Sequence, residues 1–337
     1  NLSYDSNHNS YRQSIASYLT KGGVLLERQE IYTLDYDTRG NAVDQMIATY
    51  SPDGDLLDVK HVLTTLKSNG NVTESEVIRY STGLVGESIT VASSDFVDRV
   101  VVKTSLFDLR GNALSQEIFR YASETLDTLV ERQVITTLDT YTILDEARHS
   151  EITTYNALGE FVDRQVIDYV SYDPYSNVTF QTIASYDEVG AIIDYREIQN
   201  VYLDPVARQR GNATHTTITR YTDTLMTQEI ERQEIDNHVD TIDSLGRIHD
   251  QTISLYIGGV HAKTTEITNV YEGLDSDAEF QMIQTFVLDE ATGIVNIETG
   301  YQVIENLSYD SNHNSYRQSI ASYLTKGGVL LERQEIY

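Results

Sequence analysis

The chain has 337 residues, with 24 Lys+Arg against 52 Asp+Glu, a formal net charge of −28, 40% hydrophobic residues and no cysteine. That charge argues against nucleic acid, which demands basic patches, and against anionic membrane surfaces. Disulfides cannot be the staple, and no apolar run approaches the ~20 residues of a membrane span.

Along the chain an aliphatic residue is followed three positions later by an aromatic one. The pairs are Ile15/Tyr18, Ile47/Tyr50, Val77/Tyr80, Ile118/Tyr121, Ile152/Tyr155, Ile183/Tyr186, Ile218/Tyr221, Ile253/Tyr256 and Ile283/Phe286. The surrounding stretches alternate and are rich in β-branched and aromatic residues, as in Thr216-Thr217-Ile218-Thr219-Arg220-Tyr221, which predicts strands. Upstream lie Gly40, Gly70, Gly111, Gly211 and Gly246, each seven residues before an aliphatic of the motif. Four of these are followed by Asn, and a Gly-Asn step supplies the positive φ of a hairpin turn. A third element is aliphatic-acid-Arg-Gln-x-Ile, around Arg28, Arg132, Arg164 and Arg232. Only residues 139–151 come near helical spacing, and only briefly.

The end of the sequence repeats its beginning. Residues 306–337 are identical to residues 1–32, a period of 305 residues. Residues 1–305 thus form one block of about nine units of ~34 residues, and 306–337 open the next identical block. The join Val303-Ile304-Glu305-Asn306-Leu307-Ser308-Tyr309-Asp310 falls inside a recurring motif, with no Gly/Ser or Pro linker. Duplication of one short segment is the alternative. The predicted fold is all-β, an elongated tandem array of β-hairpin units, two strands per unit. At strand spacing, nine units advance ~43 Å with one layer each and about double with two. The low apolar content fits such a shape, whose surface does not shrink with length as a sphere's does.

The segments Tyr36-Asp37-Thr38-Arg39-Gly40-Asn41, Phe107-Asp108-Leu109-Arg110-Gly111-Asn112, Tyr155-Asn156-Ala157-Leu158-Gly159-Glu160 and Tyr186-Asp187-Glu188-Val189-Gly190 resemble the YD repeat of the RHS family. The resemblance implies β-hairpins wound side by side into a long spiralling sheet, which in that family encloses a shell and in other surface proteins forms extended structures.

Enzymatic chemistry finds little footing. The sequence lacks Gly-x-Ser-x-Gly, the P-loop, Gly-x-Gly-x-x-Gly and His-Glu-x-x-His, and no carboxylate pair stands out as an acid/base couple. No enzyme activity and no organic cofactor are expected. Calcium is the one candidate ion: Asp275, Asp277 and Glu279 place oxygens at alternating positions, as do Asp53 and Asp55, without completing an EF-hand loop. Solvated turn acids are the simpler reading. The arginines of the Arg-Gln motif are expected to pair with Glu or Asp on adjacent strands. The tyrosines at 18, 50, 80, 121, 155, 186, 221 and 256 are expected to form a structural ladder. Asn71, Asn177 and Asn212 begin glycosylation sequons. These features point to a structural segment of an extracellular or cell-surface filament, fibre or sheath whose partners are further copies of itself. The stem of an adhesin and a toxin-enclosing shell are the alternatives.

Overall fold

The computed structural model describes residues 3–4, 10–18, 25–51, 54–67, 69–137, 141–243, 246–271, 278–309 and 315–336. Among them the fold is nearly all β, with one five-residue α-helix and two short 3₁₀ turns. The chain folds as two compact units, residues 1–164 and 165–337.

The first unit contains β1 (Ser3–Tyr4), β2 (Ser10–Tyr18), β3 (Leu25–Tyr36), β4 (Ala42–Tyr50), β5 (Leu56–Leu66), β6 (Val72–Tyr80), β7 (Leu84–Val85), β8 (Ile89–Thr90), β9 (Phe96–Phe107), β10 (Ala113–Tyr121), β11 (Leu129–Thr136) and β12 (His149–Asn156). Each of β1 to β5 pairs antiparallel with the next, then β6 with β9, and the meander runs on to β12. The boundary between units falls inside β13 (Phe161–Tyr172).

The second unit carries β14 (Val178–Tyr186), β15 (Ile192–Val201), α1 (Pro205–Gln209), β16 (His215–Tyr221), β17 (Glu229–Asn237), β18 (Asp250–Ile257), β19 (Val260–Tyr271), β20 (Ala278–Asp289), β21 (Ile294–Tyr309), β22 (Ser315–Tyr323) and β23 (Leu330–Ile336). From β14 to β23 every strand pairs antiparallel with its successor.

One turn geometry recurs because one short sequence pattern encodes it. At residues 37–41 the Asp37 amide donates to the Asn41 carbonyl at 2.9 Å and the Gly40 amide to the Asp37 carbonyl at 3.0 Å. This is a type I turn closed by a left-handed residue, the three-residue hairpin loop, and Gly40 supplies its φ of 83°. The Asp37 side chain then accepts from the amides of Arg39 and Asn41 at 2.8 and 2.9 Å. The same pair of backbone bonds forms at 51–55, 67–71, 108–112, 142–146, 156–160, 173–177, 187–191 and 243–247. At two of these the left-handed residue is Asp145 (φ 63°) or Ser176 (φ 64°), which the glycine count could not reveal.

Gly211 departs from the expectation. It follows α1 rather than turning a hairpin, its amide reaching the Arg208 carbonyl at 3.1 Å. Asp204 caps this helix, accepting from the Val206 and Ala207 amides, and Pro205 opens it, a start signal unread in the sequence. Conversely, residues 141–151 form no helix: a Tyr141–Ala147 bridge closes a turn before β12.

An apolar core lies in the first unit. Tyr32, Met46, Ala48, Val59, Ile78, Tyr80 and Ile89 cluster there, with Val59 and Ala48 fully buried. The cover is the β7–β8 excursion between β6 and β9. Tyr32 donates its hydroxyl to the Gly86 carbonyl at 2.6 Å, and a Cβ at Gly83 would stand 3.1 Å from Val59 Cγ2. Elsewhere both sheet faces are mostly half-buried, and residues such as Val162, Ile193 and Leu158 stand in solvent.

Candidate functional site

The aliphatic-aromatic motif occupies one place in the fold. In β2, β4, β6, β10, β14, β16 and β22 its aromatic residue is the last of the strand; in β12, β18 and β20 it lies one to three residues before the end. Its aliphatic member faces an aliphatic residue of the preceding strand at eight junctions: Ile31–Ile47, Val62–Val77, Val102–Ile118, Ile135–Ile152, Ile198–Ile218, Ile235–Ile253, Ile267–Ile283 and Ile304–Ile320. Because side chains alternate along a strand, a slip of one residue would put every one of these pairs on opposite faces. The row of pairs therefore fixes register along the meander.

Three residues along, the tyrosine meets the arginine of the Arg-Gln motif. Arg28 opposes Tyr50, Arg132 opposes Tyr155 and Arg232 opposes Tyr256 in the strand register. The guanidinium carbons lie 4.4, 5.2 and 4.3 Å from the ring centroids. At half-exposed sites such stacking contributes ~0.5–1 kcal/mol each. Carboxylates complete the pattern. Arg28 also meets Glu30 on its own strand at 3.4 Å, and Arg232 meets Glu234 and Glu229 on its own. Arg132 pairs across strands with Glu117, and Arg164 with Glu151. The expected cross-strand ion pairs thus form at two of the four arginines, while the cross-strand partner of three is an aromatic ring.

The tyrosines differ in environment. Tyr80 is 2% exposed, and its hydroxyl donates to Glu124 at 2.7 Å. Burial and that carboxylate push its pKa up to about 12. Burial also raises Tyr50, Tyr221 and Tyr256, aided by Glu30, Glu197 and Glu234 respectively. Tyr121, Tyr155 and Tyr186 are half-buried, and Tyr18 is 53% exposed.

Two features escaped sequence reasoning. Register shifts by one residue beside nearly every motif aromatic, between Ser17 and Tyr18, Arg120 and Tyr121, or Arg220 and Tyr221. The residue left over on the following strand opens the Arg-Gln motif, so Val130 and Ile230 bulge outward, 51% and 41% exposed. An apolar residue there reads as core in sequence. The second feature is a row of cross-strand amides. Gln251, Gln281 and Gln318 donate to Asn237, Asn269 and Asn306 at 2.7, 2.9 and 2.7 Å, and those asparagines donate to carbonyls of residues 213, 248 and 278. Gln45 and Gln116 reach Thr33 and Thr104 likewise. The signal was present: a Gln two residues before the motif aliphatic.

In the second unit an open cleft of about 280 Å³ is lined by Arg210, Asn212, Gly246, Arg247, Ile248, Gln251, Asn269 and Tyr271. Its polar groups largely serve the fold. Arg247 is held by Asp243 at 2.7 Å and lies over Tyr271, while Asn212 and Asn269 donate to backbone carbonyls. Of the calcium candidates, Glu279 sits half-buried in β20, and Asp275, Asp277 and Asp53 lie outside the described residues. Among the described residues no three His, Asp or Glu side chains gather as a metal site.

No family model and no curated protein matches the chain. Among solved structures, a porin-like protein from Bacteroides uniformis aligns over 88% of this chain and 95% of its own, at 12% identity and a TM-score of 0.29. The TcdB2-TccC3 structure aligns over 90% of this chain and 22% of its own, at 12% identity and a TM-score of 0.18. A Photorhabdus luminescens Tc holotoxin pore aligns over 94% and 22%, at 11% identity and 0.17. All three likenesses are weak.

Proposed function

We propose that the chain is a structural segment of an extracellular or cell-surface fibre or sheath, in which 305-residue blocks follow one another and are held by strand-to-strand pairing. One observation carries this reading. The two identical stretches adopt the same register: Gln13–Ile31, Ile15–Gln29 and Tyr18–Leu25 in the first recur as Gln318–Ile336, Ile320–Gln334 and Tyr323–Leu330 in the second. The pairing before them recurs as well, Ser3–Arg12 as Ser308–Arg317. A block that ends in the register in which it began can be followed by itself without a linker. The net charge of −28 keeps such polymers apart sideways.

Scattering from two chains tests this: residues 1–337, and residues 1–305 placed twice before 306–337. The expected result is a longest dimension that nearly doubles. A radius of gyration growing only as a compact globule's, about the 0.38 power of length, refutes it.

A further inference from the structure

We propose that Tyr195–Tyr221 and Tyr301–Tyr323 are oxidative coupling sites, at which a peroxidase using hydrogen peroxide joins the two rings of each pair into dityrosine. Each link is local to its own strand pair. Only its meaning at the block join rests on the repeat reading above.

The pairs arise from one change in the repeating pattern. The Arg-Gln motif sets arginine opposite the motif tyrosine, as at Arg28–Tyr50, Arg132–Tyr155 and Arg232–Tyr256. In Ile193-Asp194-Tyr195-Arg196-Glu197-Ile198 and Thr299-Gly300-Tyr301-Gln302-Val303-Ile304 a tyrosine holds the place of that arginine. The register then sets phenol against phenol, Tyr195 opposite Tyr221 and Tyr301 opposite Tyr323. The ring centroids lie 6.3 and 6.0 Å apart, with the planes at 48° and 47°. Two junctions far apart in sequence thus hold one geometry. Directly opposed residues share a face, with Cβ atoms ~4.5–5.5 Å apart. Rotation about the side-chain torsions therefore brings the ring edges together without moving either strand. All four rings are half-buried, fixed as neighbours yet open to solvent on one side. Tyr221 also donates its hydroxyl to Glu197 Oε2 at 2.9 Å, an acceptor for the proton that leaves on oxidation.

The peroxidase takes one electron and one proton from each phenol. The two phenoxyl radicals form one carbon–carbon bond between the positions beside their hydroxyls. The hydrogens on those carbons pass to the oxygens as the rings become aromatic again, and the electrons and protons removed reduce hydrogen peroxide to water. In a chain without cysteine such a link takes the part of a disulfide, closing a loop that the unfolded chain must keep. Tyr301 belongs to the first block and Tyr323, the copy of Tyr18, to the next. Their link bridges the join.

The test is to treat dilute chain with peroxidase and hydrogen peroxide, then digest it and map the linked peptides by mass spectrometry. Dityrosine fluorescence should appear while the chain still sediments at 38.1 kDa. The linked peptides should join 195 to 221 and 301 to 323, and chain unfolded in guanidinium should lose that selectivity. Tyr221→Phe should abolish the first link alone, Tyr323→Phe the second alone, and the double variant both. Phe286 already holds the same motif position in β20, so the ladder accepts a ring without a hydroxyl there. Coupling that favours Tyr175, 56% exposed, or the same-strand pair Tyr169 and Tyr172 at 6.2 Å overturns the proposal. So does fluorescence undiminished in the double variant, or the same links formed equally in unfolded chain. A two-block chain that fails to lengthen in scattering leaves both links standing, because each needs only its own strand pair. Absent links in turn leave the array intact.

Discussion

Residues 14–18 and 319–323 share one sequence and two fates. Ser319 and Ala321 are 9% and 5% exposed, while Ser14 and Ala16 face solvent. Ile31 is half-buried where its copy Ile336 is 46% exposed. Yet both copies form the same hairpin in the same register, with the same shift before the tyrosine. Register is therefore intrinsic to the hairpin, written in its Ile, Gln and Tyr positions. Burial is supplied by the neighbouring strand: β21 beside β22, β4 beside β3.

The largest effect should come from giving the second copy what the first has. Appending a copy of residues 33–66 after Tyr337 supplies the β4 and β5 sequences. Backbone amides of residues 333–336 should then exchange roughly 100-fold more slowly at dilutions where chains are single; unchanged exchange would show that β23 does not accept a fourth-strand partner. Smaller is the contrast between identical substitutions. Ile31→Ala should cost about 1–2 kcal/mol of local stability, because it empties a half-buried cross-strand pair, and Ile336→Ala under ~0.5. Equal costs measured by native-state hydrogen exchange would contradict the split between register and burial. Smaller again, Arg28→Ala should cost ~0.5–1 kcal/mol by removing the stack on Tyr50, and Arg333→Ala close to nothing.

The sequence made the strands legible because their period of two and their turn chemistry are local. The Asp-x-x-Gly-Asn turns at 37–41 and 108–112 follow from φ and amide capping alone. The turns at 142–146 and 173–177 were hidden because Asp145 and Ser176 occupy the left-handed position that Gly usually fills. Gly211 misled for the opposite reason: its spacing from Ile218 matched a hairpin, but Pro205 and the Asp204 cap had already started a helix. At the candidate site each residue type was visible and its partner was not. Tyr50 and Arg28 stood out separately, yet that they face each other depends on register, a non-local property. The β7–β8 cover over Val59 was likewise illegible, since nothing in residues 81–95 says which face they fold across.

The last contrast is one of pH. The β3–β4 hairpin turns on Asp37, held down to about 2 from the ordinary 3.8 by bonds from the Asn41 side chain and amide, with those of Arg39 adding to them. Asp108 is lowered too: partial burial opposes the shift, and the Asn112 amide and side chain overcome it. A depressed carboxyl contributes stability that is complete above its unfolded value and lost as pH falls through its folded one. Between about 4 and 2 the opened turn binds a proton that the closed turn does not, so opening becomes easier as acid is added. The loop from β22 to β23, Leu324-Thr325-Lys326-Gly327-Gly328-Val329, holds no acid. Amide signals of β3 and β4 should therefore lose protection over that window earlier than those of β22 and β23. Asp37→Asn keeps the acceptor oxygen and removes the titration, so it should narrow the difference. Two hairpins that open together, or a difference that persists in Asp37→Asn, would mean that acid acts on carboxylates outside the turn.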